Sequence, residues 1–112
     1  MGAVVVLDEP EFNRWRAAAE TAFSSARTQR DAGFFGWACF MFEQAAQFAL
    51  KALLHAAGRG EMTHDLTRLF KELNDAGIVL PPELEDALRR LSRHYVLPRY
   101  PDLVPEGEPA NF

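Results

Sequence analysis

The sequence predicts an all-α protein, an up-and-down bundle of four helices. Three observations carry the prediction. Apolar residues recur three and four apart through most of the chain, the spacing of one helix face. The residues between these periodic stretches are those of helix ends: Asp8 and Thr63 stand before them, and Gly33, Gly58 and Gly77 close them. No stretch alternates polar and apolar residues over a strand's length, the short run Ala3–Leu7 being the one candidate. The 112 residues suit one domain, expected over 1–112, with a core at about 8–102 and a loop-like tail at 103–112. A short fifth helix or an ordered tail is compatible with this plan.

The first helix is expected to begin near Asp8. Asp8 serves as N-cap, Pro10 suits the first turn, and Glu11 follows three residues after the cap. Phe12, Trp15, Ala19, Ala22, Phe23 and Ala26 then mark the face turned to a core. The helix ends between Asp31 and Gly33, so the next helix returns beside it as an antiparallel hairpin.

The second helix, within Gly33–Gly58, organises the rest. It carries no charge from Phe34 to Phe42, and its polar residues form a stripe, Glu43, Gln47, Lys51 and His55, each four apart. That stripe is read as the helix's limited contact with water or polar neighbours. A helix apolar around most of its circumference must be covered on several sides. Phe34, Phe35, Trp37 and Phe40 exceed what three short helices cover, so this end is expected to touch a second subunit.

The third helix is expected from the N-cap Thr63, with Leu66, Leu69, Phe70 and Leu73 as its apolar stripe and Asn74–Gly77 as its stop. Ile78, Val79 and Leu80 make an apolar connector. The fourth helix runs from Glu83 to about Val96, burying Leu84, Leu88, Leu91 and Tyr95. Its acids come first and its arginines later, the order that the helix dipole favours.

The chain is 48% hydrophobic and 25% charged with a net charge of -4, which excludes a generally basic nucleic-acid binder. Its single cysteine, Cys39, permits no disulfide within one chain and reads as a packed core residue. Ala3–Leu7 is too short for a signal peptide, and the longest uncharged run, Ala32–Phe42, is too short to span a bilayer. A soluble, cytoplasmic protein with no membrane partner is expected. No Gly-rich phosphate loop, metal-spaced Cys or His cluster or nucleophile elbow occurs, so no cofactor and no metal are expected. His64 is read as a capping or packing residue.

Chemistry, where the sequence offers any, lies in Arg89–Arg99, RRLSRHYVLPR, with four arginines, one histidine and no acid. Guanidinium forks match phosphate geometry, and a histidine moves a proton near neutral pH. Together they suit an RNA phosphate and attack by a ribose 2′-hydroxyl. The same cations also suit an ordinary solvated helix face. Arg90 and His94 share a face, whereas Arg89 and His94 stand well apart around the helix, so a twofold dimer is the way to bring matching pairs together.

Three segments resemble the HEPN domain family, named for higher eukaryotes and prokaryotes and for proposed nucleotide binding. Phe40–Leu54, FMFEQAAQFALKALL, is similar to the family's central "QAAEKALKALL" helix. Thr63-His64-Asp65-Leu66 is similar to its "THDL" helix start, and Leu91–Asp102, LSRHYVLPRYPD, to its "L-D-R-H-Y-I-x-x-R-Y-P-D" segment. Order and spacing agree over about Phe12–Asp102.

The resemblance implies a HEPN-like, all-α up-and-down bundle and a homodimer. Many members carry Arg, four to six residues, then His as an RNase signature, and Arg89 with His94 fits it. Arg89 would then steady the phosphate and His94 act as acid or base in a metal-independent endoribonuclease. Arg90, Arg93, Arg99 and Tyr100 are the candidate residues for binding RNA or nucleotide. Arg90 departs from the Asn, Asp or His that often follows the signature arginine. Some toxin members have a Tyr two residues after the His that a partner modifies with AMP; here Tyr95 follows His94 directly and Val96 holds that place. Small members are often encoded beside a minimal nucleotidyltransferase in a toxin–antitoxin pair, which makes such an enzyme the implied partner. The alternative is a non-catalytic dimeric module that binds nucleotide or regulates a partner.

Overall fold

The computed structural model describes residues 6–60 and 63–96, with side-chain surroundings given up to residue 92. Four helices follow one another: α1 (Glu9–Asp31), α2 (Phe35–Ala56), α3 (Leu66–Asp75) and α4 (Pro82–Val96). No strand occurs among the described residues. The expectations for Arg93, His94, Tyr95, Arg99, Tyr100 and the tail 103–112 fall outside the described side chains, as does most of Ala3–Leu7.

Local chemistry sets the helix ends. Asp8 caps α1, its carboxylate accepting from the Glu11 backbone N–H at 3.3 Å, with Pro10 in the first turn. Glu11 does not close a capping box; its carboxylate takes hydrogen bonds from Arg14 and from Trp15 Nε1. The Arg14 hydrogen bonds hold the Glu11 carboxyl below its ordinary range. At the other end, Gly33 adopts φ +88° and lets the Phe34 N–H reach the Gln29 carbonyl at 2.8 Å. Gly58 repeats this for α2 at φ +75°, where the Arg59 N–H reaches the Leu54 carbonyl at 2.8 Å.

The start of α3 differs from the sequence expectation. Asp65, not Thr63, is the N-cap, its carboxylate accepting from the N–H of Thr67 at 3.0 Å and of Arg68 at 3.4 Å. Thr63 stands two residues outside the helix cap, and its hydroxyl accepts from the Asp65 N–H. The Thr67 hydroxyl above all, together with these backbone donors, holds the Asp65 carboxyl below its ordinary pKa.

α2 is the centre. α1 lies along it as the hairpin partner, while α3 and α4 pack on it and on each other. The main core joins Leu50 and Leu54 of α2, Leu66, Leu69, Phe70 and Leu73 of α3, and Leu88 of α4. Ile78 and Leu80 of the connector pack against it, whereas Val79 between them faces water. Burying four side chains of α3 at full or nearly full cover is worth about 1.5–3 kcal/mol each, which holds a ten-residue helix that would be marginal alone.

Of the two readings of the polar stripe of α2, contact with polar neighbours holds and contact with water does not for Glu43, Gln47 and Lys51. Glu43, Gln47 and Lys51 are 1%, 0% and 5% exposed. α1 and the entry of α3 close over them, because the stripe lies where those elements approach. Phe23 departs in the other direction: it shares the core-facing spacing of α1 yet is 46% exposed, set edge-on against Phe42 with ring centroids 5.5 Å apart.

Candidate functional site

α4 orders its charges along its length. Glu85 and Asp86 lie near its start, and Arg89 and Arg90 stand one turn on. Arg89 Nη2 is 3.5 Å from Glu85 and Arg90 Nη1 is 3.2 Å from Asp86, all four side chains well exposed. The leucines fix the rotation of the helix. With Leu88 buried in the core, Arg90 is turned toward the α1 side, and Arg89 stands about 100° further round. Position 94 lies one turn beyond Arg90 on the same face, about 140° from Arg89. Within one chain the helix therefore presents Arg89 and position 94 in different directions.

Beside α4 lies an apolar groove of about 810 Å³. Its floor is α2, with Cys39, Phe42, Ala45, Ala46 and Ala49; Glu20 and Phe23 stand on the α1 wall and Leu84, Leu91 and Arg90 on the α4 wall. Burial raises the Cys39 thiol above its ordinary pKa, so it stays protonated, but it is half-buried on the groove floor and not the packed core residue expected from the sequence.

A second polar feature joins residues that sequence reasoning named separately, the stripe of α2 and His64. Gln47 Nε2 donates to both carboxylate oxygens of Glu43, at 2.7 and 2.8 Å. Its carbonyl oxygen is thereby turned to His64 Nδ1, 3.0 Å away. An amide oxygen only accepts, so this His64 nitrogen carries the proton. One turn on, Lys51 Nζ lies over the Trp15 ring at 5.3 Å, and His55 stacks on the same ring at 6.2 Å. The signal for this cluster was present as the four-residue spacing of Glu43, Gln47 and Lys51 with a histidine at a helix start. Among the described residues no group of three or more His, Cys, Asp or Glu has the arrangement to hold a metal ion. No helix among them is long and apolar enough to cross a membrane.

A family profile for the HEPN domain matches residues 12–111. The chain belongs to the HEPN domain family. Among solved structures this HEPN chain is similar to the crystal structure of TT1696 from Thermus thermophilus, at 32% identity and a TM-score of 0.82. The likeness covers 88% of this chain and 77% of that one. A search of curated proteins finds no match. The HEPN segments now have places. The "QAAQ" motif lies in the middle of α2 with Ala45 and Gln47 buried and Gln44 and Ala46 half-buried, and the "THDL" motif supplies both the Asp65 cap and the His64 contact to Gln47. Of the six candidate site residues, Arg89 and Arg90 are the two whose side chains are described; both stand on the exposed side of α4, and of these two Arg90 lines the groove.

Proposed function

We propose that this HEPN module is a homodimeric, metal-independent endoribonuclease and the partner of a minimal nucleotidyltransferase in a cytoplasmic pair of toxin–antitoxin type. Arg89 steadies the scissile phosphate, and His94 serves as acid or base toward a ribose 2′-hydroxyl. Arg93, Arg99 and Tyr100 hold the RNA backbone, and the unit that does this is the whole chain, 1–112.

The observation that carries the reading is the setting of Arg89. It is exposed on α4, five residues before position 94, against Glu85 at 3.5 Å. An exposed pair of this spacing is worth only about 0.3–0.5 kcal/mol, so a phosphate displaces Glu85 at little cost. The angular separation of Arg89 from position 94 calls for a second copy to bring the two functions onto one substrate.

The test is cleavage of single-stranded RNA by the purified protein in excess chelator, with DNA of the same sequence as control. RNA is cut, DNA is not, and Arg89→Ala and His94→Ala each lower the rate by about 100-fold or more. Intact RNA with the wild-type protein, or full cleavage by both variants, ends the catalytic reading.

A second reading is favoured by the pairs Arg89–Glu85 and Arg90–Asp86, which are ordinary for a solvated helix face. There the dimer binds nucleotide or regulates its partner without cutting RNA. It predicts co-purification with a nucleotidyltransferase, or heat on titration with ATP or GTP, from a protein that leaves RNA intact.

A further inference from the structure

We propose that the groove between α1, α2 and α4 seats a second copy of this chain, with Glu20 of each copy paired to Arg90 of the other. The inference rests on the dimeric reading above and names the surface that serves it.

The floor of the groove is the first reason. Ala49 sits in the middle of the central helix, yet it is exposed. Phe42 and Ala46 beside it are half-covered. A wet apolar surface in the middle of the helix that the other three pack around is a place for protein to cover. The alanines also let another helix approach the α2 backbone closely, because their side chains do not hold it off.

The charges on the walls identify the occupant. Glu20 stands on the α1 wall and Arg90 on the α4 wall. They do not pair with each other: Glu20 is held by Arg16 at 2.8 Å and Arg90 by Asp86 at 3.2 Å. A twofold axis running along the groove sets the α1 wall of one copy against the α4 wall of the other. Each Glu20 then meets an Arg90, twice, as an interface between identical patches requires. The surface is complementary to itself in sign. A small molecule finds few polar groups here to orient it. A nucleic-acid strand finds Glu20 facing its phosphates.

The test is sedimentation equilibrium on the full chain, with helix content followed by circular dichroism. The wild type is a dimer. Ala49→Glu, Arg90→Glu and Glu20→Arg each keep their helix content and weaken association by about tenfold or more. The double variant Glu20→Arg, Arg90→Glu restores opposite signs across the axis and returns to within about threefold of wild type. A wild-type dimer that all three single variants leave intact overturns the groove as the interface while the dimeric reading stands. Single variants that weaken RNA binding but not association overturn it in favour of a nucleic-acid strand. A double variant no tighter than the singles overturns the Glu20–Arg90 pairing. A wild-type monomer at every concentration overturns the dimeric reading itself.

Discussion

His64 Nδ1 stands 3.0 Å from Gln47 Oε1, a hydrogen bond that ties the entry of α3 to the middle of α2. Gln47 is fully buried, and its amide nitrogen is committed to the Glu43 carboxylate. The carbonyl oxygen therefore depends on what α3 brings to it. His64→Ala leaves that oxygen in the dry interior without this donor. A loss of about 1–3 kcal/mol is expected from urea unfolding. An unchanged midpoint would show that the bond contributes nothing net.

Trp15 of α1 covers the other end of the same stripe. It packs on Phe48, stacks on His55 and lies under the Lys51 ammonium. Trp15→Ala removes both apolar contact and the ring face that offsets the cost of burying Lys51. The expected loss is about 2–4 kcal/mol in thermal or urea unfolding, with Trp15→Phe losing less. Equal effects of the two substitutions would argue that ring size, and not cover of Lys51, sets the stability.

Asp65 gives α3 a pH dependence whose sign follows from its cap. The Thr67 hydroxyl and the backbone donors hold its native pKa below the ordinary value. A carboxylate lowered on folding contributes stability that is complete above the unfolded pKa, about 4, and is lost as pH falls through the lower native value. Asp65→Ala is expected to cost about 0.5–2 kcal/mol at neutral pH. The gap between wild type and variant narrows at acid pH, and a gap of constant size from neutral to acid pH would rule out the ionised cap.

Gly58 and Gly33 separate two costs at one kind of turn. Both have positive φ, +75° and +88°. A Cβ at Gly33 meets nothing within 4 Å, so Gly33→Ala carries backbone strain alone, about 1–2 kcal/mol. A Cβ at Gly58 comes within 3.0 Å of Leu7 Cδ1, so Gly58→Ala must also push the Leu7 side chain aside. Gly58→Ala is therefore expected to be the more destabilising of the two in parallel melts. The reverse order would place the strain elsewhere.

Local patterns made most of the fold legible. Asp8 was readable as a cap because its carboxylate acts on residues three positions away. Leu66, Leu69, Phe70 and Leu73 were readable as one face because helix geometry alone groups them, and all four are buried. The sequence grouped Glu43, Gln47 and Lys51 just as well, but spacing does not say what covers a face. Their burial depends on Trp15 and His64, which come from distant parts of the chain. Thr63 and Asp65 are both capping residues two positions apart, and the choice between them follows from where Leu66 is drawn into the core. At the candidate site, exposure of Arg89 and Arg90 was legible from charge pattern. That Arg90 borders a groove was not, because the groove exists only through the spacing of α1 and α4 over α2.

The α1–α2 hairpin is closed by the three residues Ala32–Phe34. Contacts so near in sequence form quickly and at small entropic cost, so this hairpin takes shape ahead of the docking of α3 and α4. Until α3 arrives, the contact of Gln47 with His64 is unmade, and the side of α2 that α3 covers is open. An α2 that was apolar there as well would adhere to any neighbouring chain during that interval. Glu43 and Gln47 put a charge and an amide on a helix otherwise rich in sticky surface. The residues that look misplaced in the finished interior are thus expected to make the half-made hairpin less sticky than an all-apolar α2 would be.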